Sequence, residues 1–383
     1  MIRREPRERL VGIDWLEMFV NEEVGRDYSA DGFRSRGYCV LEREYGTKTM
    51  AEMFTILDNA GHPFIEVRRA PRGLDSGAAK CVYQLGDAYI KLANLYCYDA
   101  NPVRLMLDFL EREKYYIKKI YRIDLYTDFE IFDSGDRPNK VVRRIVNHTY
   151  SKINQSHRRV SGADTWTECF DNWVSWGKQG SMVSTKIYDK TKELRETGMH
   201  KPYIVETWRR AGYIDDVVNL TRQGQAVQMW RLEFSIKGNA KGWIYIDKND
   251  SEDGGRHSLP HNLDLYSTRQ GVLNAIANLI PYYFRFKIYE EGKRKSLCQD
   301  KVLFIFDKDE YEDGYRLTNE SDIERVRNVE LEDDVIAVNH LVRAKIKLAG
   351  SEFENQLTNV ITELQQRIDR RSMKIYGKDS DIF

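Results

Sequence analysis

Arg122-Ile123-Asp124-Leu125-Tyr126-Thr127-Asp128-Phe129 alternates polar with apolar residues, and Trp230-Arg231-Leu232-Glu233-Phe234-Ser235-Ile236-Lys237 repeats the pattern. With the two-residue period of a strand, Arg122, Asp124, Tyr126 and Asp128 share one face, and Ile123, Leu125, Thr127 and Phe129 the other. In the second stretch Arg231, Glu233, Ser235 and Lys237 stand opposite Trp230, Leu232, Phe234 and Ile236. A polar outer face serves solubility on any half-buried strand. Here an Arg-x-acid arrangement recurs on two strands whose other face is strongly apolar. Carboxylates beside arginines on a rigid sheet suit a divalent cation and a phosphate.

The chain around these strands has 383 residues, more than one typical core, so two units of roughly 150 residues are the length expectation. Tyrosine is abundant, at 23 against 7 Trp and 15 Phe, which fits sheet surfaces touching a polar ligand and edge-strand packing equally well. Charged residues make up 31% yet cancel to zero net charge, so a uniformly basic nucleic-acid coat is excluded and any footprint is a local patch. Cys39, Cys81, Cys97, Cys169 and Cys298 are scattered without a C-x-x-C pair, as expected of reduced thiols in a cytoplasmic protein. The histidines do not cluster near them at zinc-ligand spacing. The charged N-terminus lacks the apolar run of a signal peptide, and nothing approaches the roughly 20 apolar residues of a membrane span.

Working outward, residues 11–20 read as a first strand and 32–70 as a meander broken by Gly32, Gly37, Gly46 and Gly61. Gln84 to Leu95 reads as another strand. A helix is predicted near 101–115, with Pro102 in its first turn. Residues 131–165 are polar, basic and turn-rich, and read as a connection. Beyond them come a strand at 182–190, helices at 203–211 and 213–222, and a loop over 238–262. A helix at 266–280 is expected to stop at Pro281, followed by strands at 282–289 and 301–306 and a solvated acidic loop from Asp307 to Asp313. Past 330, Phe353, Leu357, Val360, Ile361, Leu364 and Ile368 form one apolar helical stripe, which packs on the body or on a twin subunit and leaves a homodimer open. The fold expectation is α+β: largely antiparallel sheets in two related halves (1–150 and 151–325) flanked by helices, with a helical C-terminal extension over 326–383.

A third stretch, Trp173-Val174-Ser175-Trp176-Gly177-Lys178-Gln179-Gly180-Ser181, runs toward Lys186-Ile187-Tyr188-Asp189-Lys190. Alternation puts Lys186, Tyr188 and Lys190 on one face, with Ile187 buried. Two ammonium groups beside a phenol favour its ionised form. An ordinary exposed strand half-covered by a tyrosine has the same pattern.

Five features fall in a telling order: Ile13-Asp14-Trp15-Leu16, Tyr89-Ile90-Lys91-Leu92-Ala93-Asn94, Arg122-x-Asp124-x-x-x-Asp128, Gly177-x-x-x-Ser181 with Tyr188-Asp189-Lys190, and Arg231-x-Glu233. Together they resemble the replication initiation factor family: rolling-circle plasmid initiators of the Rep_trans type, filamentous-phage initiators and conjugative-transposon relaxases. The resemblance spans roughly residues 11–310. It implies nicking of one DNA strand at an origin by a tyrosine nucleophile and a divalent metal, Mg or Mn. On that reading Asp124, Asp128 and Glu233 are the metal ligands and Tyr188 is the in-motif nucleophile. Lys186 and Lys190 stabilise phosphate charge or activate the phenol, and Arg122 and Arg231 orient the carboxylates. Each acid reads alternatively as a structural ion pair with its neighbouring arginine. The implied partners are origin DNA, single-stranded or hairpin, and a host helicase. There is one departure. Where many members carry the nucleophilic tyrosine, two residues before the glycine, this chain has Ser175. Tyr126 and Tyr150 are then further candidates, and the alternative function is a catalytically inactive, sequence-specific DNA-binding relative acting at an origin or as a regulator.

Basic clusters give the expected DNA footprint: Arg68, Arg69 and Arg72; Lys140, Arg143 and Arg144; Arg158 and Arg159; and Lys293, Arg294 and Lys295. The last follows the aromatic-cationic stretch Tyr282 to Lys287, which suits stacking and phosphate contact on a single strand. Any one cluster reads equally as solvated surface.

Overall fold

The computed structural model describes residues 8–72, 83–146, 150–152, 158–159, 173–176, 183–198, 201–238, 243–247, 256–258, 263–288, 299–311 and 315–319. The chain divides into two compact units, residues 1–240 with 259–313, and 241–258 with 314–383. The expected helical extension over 326–383 lies outside the described residues.

In chain order the first part comprises β1 (Leu10–Glu22), α1 (Ala30–Ser35), β2 (Cys39–Glu42), β3 (Met50–Leu57), β4 (Pro63–Pro71), β5 (Asp87–Leu92), α2 (Asn94–Cys97), α3 (Pro102–Arg112) and β6 (Tyr115–Phe129). Next come α4 (Pro138–Val146), β7 (Tyr150–Lys152), β8 (Arg158–Arg159), β9 (Trp173–Trp176), β10 (Val183–Asp189), α5 (Lys190–Glu196) and α6 (Pro202–Arg210). The remainder is β11 (Thr221–Arg222), β12 (Gln225–Ala226), β13 (Trp230–Lys237), β14 (Trp243–Asp247), β15 (Arg256–Ser258), α7 (Leu263–Tyr266), α8 (Arg269–Tyr283), β16 (Arg285–Ile288), β17 (Gln299–Val302) and β18 (Tyr315–Asn319).

The α+β expectation holds, and strands from both sequence halves join one ten-stranded sheet in the order β2-β3-β4-β5-β1-β6-β13-β10-β9-β8. Its pairings are antiparallel, so one face can be apolar and the other polar. The opening stretch sits at its centre: β6 lies between β1 and β13. Ile123, Leu125, Leu232, Phe234 and Ile236 are fully buried, and Tyr283 of α8 packs its ring edge-on against Phe234 at 6.0 Å. Burying each such side chain stabilises the fold by roughly 1.5–3 kcal/mol. The second unit contributes a separate three-stranded sheet, β15-β14-β18.

Four local expectations are corrected. The supposed connection over 131–165 contains α4, because Val141, Val142 and Ile145 form a buried stripe on an otherwise basic helix. No helix forms over 213–222. The Asp216 carboxylate accepts the backbone N–H groups of Val218 and Asn219, a local bond that competes with helical pairing, and Leu220 is buried in the left-handed region. The loop expected over 238–262 holds β14 and β15. Helix α8 passes Pro281 and ends at Tyr283, since buried Leu279, Ile280 and Tyr283 hold the last turn and Phe284 N–H still reaches the Ile280 carbonyl.

Candidate functional site

Strand register assembles the site. Directly opposed residues of an antiparallel pair share a face. Arg231 of β13 is therefore flanked by Asp128 of β6 and Tyr188 of β10, and Glu233 by Tyr126 and Lys186. Ser235 faces Asp124, which faces Trp15 of β1. A β-bulge between Ile13 and Trp15 gives β1 one extra residue, Asp14, and turns its carboxylate to this same face. Asp14 stood in a quoted motif without an assigned role, and nothing in the alternation of its strand reveals the bulge.

At the floor of the site Arg231 is wholly buried. Its Nε and Nη2 donate to the two Asp128 oxygens at 2.6 and 2.7 Å, and its Nη1 donates to Asp14 Oδ1 at 2.9 Å and Tyr98 Oη at 2.6 Å. Trp208 of α6 adds an N–H bond to Asp128 Oδ2 at 2.8 Å. The guanidinium stacks 3.9 Å from the centroid of Tyr126. Burial would depress the Arg231 charge, but Asp128, Tyr98 and Asp14 override it and hold its pKa well above the ordinary value. Burial would likewise raise the Asp14 carboxyl, yet Arg231, then Lys190 and Tyr98, bring it down to about 2. A buried guanidinium with two carboxylates satisfies every partner and fixes their positions.

Above this network opens a cavity of about 680 Å³, whose walls include Asp14, Arg122, Asp124, Tyr188, Lys190 and Glu233. Tyr188 Oη donates to Glu233 Oε2 at 3.1 Å and accepts from Lys190 Nζ at 3.3 Å, while Lys186 Nζ lies 3.3 Å from Glu233 Oε1. Lys190 is the first residue of α5; Asp189, accepting the Lys192 N–H at 2.9 Å, caps that helix, and Glu193 one turn on pairs with Lys190 at 2.5 Å. Burial and the nearby Arg231 lower the Lys190 ammonium to about 8. Asp124 is chelated by Arg122, whose Nε also reaches Ser235 Oγ at 3.1 Å, but burial pushes its carboxyl up to about 6.

The expected ionisation of Tyr188 is corrected. Its pKa is raised well above the ordinary phenol value, first by burial and then by Glu233, to which it donates its proton. The two lysines that alternation set beside it spend their charge on Glu233 and Glu193. Asp128 is drawn away from the cavity-lining acids into the Arg231 network. Asp124 and Glu233 line the cavity but are matched to Arg122 and to Lys186 with Tyr188. As paired, the three acids do not fit one metal ion, and among the described residues no group of three His, Cys, Asp or Glu side chains stands ready for one.

Ser175 lies on β9 opposite Lys186, one strand further from the acids. Gly177 and Ser181 lie outside the described residues. Tyr126, 3% exposed and sandwiched by Arg231 and Tyr98, is not among the residues lining this cavity. Tyr150 sits on β7 opposite Ile288. Among the basic residues, Arg143 is exposed and Arg144 lies 3.3 Å from Asp136, both in the last turn of α4. Arg158 and Arg159 form β8 opposite Trp176 and Ser175. Lys293, Arg294 and Lys295 lie outside the described residues. Arg69 is held by Glu22 and Glu52, and Arg72 donates to the Thr47 carbonyl.

No family model and no curated protein matches the chain. Among solved structures it is similar to the rolling circle replication initiator protein from Geobacillus stearothermophilus, at 12% identity over 76% of this chain and 92% of that one, with a TM-score of 0.41. No described helix is long and apolar enough to cross a membrane.

Proposed function

We propose that this chain nicks one DNA strand at a rolling-circle-type origin by tyrosine transesterification. The observation that supports it is the meeting of Tyr188, Glu233 and Lys190 within hydrogen-bond reach at one open cavity. Glu233 takes the phenolic proton as Tyr188 Oη forms a bond to phosphorus. The bond to the 3′ oxygen breaks, and the Lys190 ammonium, at about 8, supplies the proton that the leaving oxygen needs. The products are a 3′-hydroxyl and a 5′-phosphotyrosine, and the reverse sequence rejoins the strand. Lys186 and Arg122 offset charge on the phosphate. Asp124 and Glu233 would hold Mg or Mn only once Arg122 and Lys186 let go of them, and the ion would then polarise the phosphate.

The test is incubation with supercoiled plasmid carrying the DNA that flanks the chain's own gene, with Mg²⁺, with Mn²⁺ and with EDTA. A covalent adduct mapped by mass spectrometry to Tyr188 is expected; no nicked circle under any condition counts against the proposal. The pairing of every carboxylate with a cation, together with Ser175, favours a second reading: sequence-specific DNA binding without cleavage, which survives EDTA. A homodimer and a host helicase belong to the proposal as partners, the first tested by size exclusion with light scattering.

A further inference from the structure

Beyond the cavity the same sheet face continues along β1 and β6 and carries an unusual run of rings and cations. Lys91 Nζ lies 3.3 Å and Arg122 4.5 Å from the ring centroid of Trp15. Two residues along β1, Glu17 is buried and ion-paired with Arg68, whose guanidinium also stands 5.2 Å from Tyr89. Two residues further, Phe19 packs on Tyr89 at 5.0 Å, with Lys118 at 5.4 Å and Lys119 at 5.6 Å over its ring. Tyr121 lies against Tyr89 at 4.6 Å and is 42% exposed.

Two further β-bulges in the β1–β6 pair explain the density. Register shifts between Glu17 and Met18, and between Phe19 and Val20, leave Tyr121 and Lys118 of β6 without a partner across the pair. Each extra residue kinks the strand and re-aims a side chain. Tyr121 is thus left exposed and Trp15 and Phe19 half-buried over a buried Tyr89, and the cations beside them are Lys91, Lys118, Lys119 and Arg122. Aromatic rings alternating with cations match a polymer that alternates flat bases with phosphates.

We propose that this face is a track for a single DNA strand leaving the cavity, its bases over Trp15, Phe19 and Tyr121, with buried Tyr89 beneath them, and its phosphates on Arg68, Lys91, Lys119 and Arg122. The run from Trp15 to Asn21 is roughly 20 Å of strand, enough for a few nucleotides. The track rests on the nicking reading for its direction but not for its chemistry, and it is tested without cleavage. Oligothymidylates of about 4 to 16 nucleotides are titrated against the full chain by fluorescence anisotropy in EDTA, with a duplex of equal length beside them.

Single strands are expected to bind more tightly than duplex. Phe19→Ala and Tyr121→Ala each weaken binding roughly tenfold, as loss of one stacking ring implies. Lys119→Gln lowers the salt dependence by about one phosphate contact. Tyr45→Ala, an exposed ring off this face, leaves affinity unchanged. Circular dichroism of each variant verifies its fold. Wild-type affinity in folded Phe19→Ala and Tyr121→Ala, or equal binding of duplex, overturns the track. Binding through these rings, together with no Tyr188 adduct on the plasmid with Mg²⁺, Mn²⁺ or EDTA, upholds the track while ending the nicking reading.

Discussion

Glu233 and Lys190 make opposite demands on pH. As general base Glu233 must be ionised, and as proton donor Lys190 must be charged, which at a pKa of about 8 it ceases to be in mild alkali. The wild-type nicking rate is therefore expected to fall above pH 8, and Lys190→Arg, whose guanidinium does not give up its proton, to nick slowly at every pH without that alkaline limb. A profile flat to pH 10 would remove Lys190 from the proton path. Glu233→Gln keeps the hydrogen bond to Tyr188 but loses the base, and is expected to slow adduct formation by about 10²–10⁴-fold. Stability titrates separately. Lys190 is lowered in the folded state, so its burial penalty applies below pH 8 and is relieved between about 8 and 10.5. Asp124 is raised to about 6, so its contribution is present below 3.8 and lost as pH rises through 6. Asp14 runs the other way: lowered to about 2, it contributes above 3.8 and loses that contribution as pH falls toward 2. Urea midpoints of wild type and Asp14→Asn across pH 2–7 are expected to converge at the acid end.

At the scale of strands, Arg231 ties β13 to β6, β1 and the residue after α2. Arg231→Met leaves Asp128 and Asp14 buried without their counter-charge, and a loss of about 3–5 kcal/mol in urea unfolding is expected. A change within 0.5 kcal/mol would mean that the carboxylates find other partners. Gly12 is tied to the same network, because a Cβ there would stand 2.9 Å from the Tyr126 ring, which Tyr98 and Arg231 hold in place. Gly12→Ala is expected to cost about 1–3 kcal/mol by overpacking. These strands also show what the sequence could carry. Arg122-x-Asp124 and Arg231-x-Glu233 are legible because alternation survives in β6 and β13 from residue 122 on, and the two do pair in register. Asp14, Tyr121 and Lys118 are not, since a bulge breaks the very period on which such reading depends. Tyr98 follows α2 and Trp208 lies in α6, and their meeting with Arg231 and Asp128 depends on tertiary packing alone. The ionisation of Tyr188 is illegible for a related reason: alternation gives its neighbours on the strand but omits burial and the acid on the strand beside it.

Over the whole molecule, the long pairings decide how the chain folds and what it can lose. β1 must find β6 more than a hundred residues later, and β6 must find β13 after a similar interval. Such non-local pairing is slow, because loop closure is imposed before burial compensates. The segments needed to complete the ten-stranded sheet all belong to residues 1–240, and α8 and β16 come from 259–313, within the same unit. The other unit has its own sheet, with β14 and β15 from the 241–258 insertion and β18 from the C-terminal part. Among the described residues, the sheet's strands and the residues lining the cavity all come from 1–240. A chain ending at residue 313, with a short Gly/Ser linker in place of 241–258, is expected to unfold cooperatively in urea and to keep its near-ultraviolet circular dichroism. Collapse into a state with secondary structure but no cooperative transition would show instead that residues 314–383 supply part of the first unit's core. The same truncated chain separates scaffold from cargo: if it forms the Tyr188 adduct at the full-length rate, the chemistry belongs to the sheet alone.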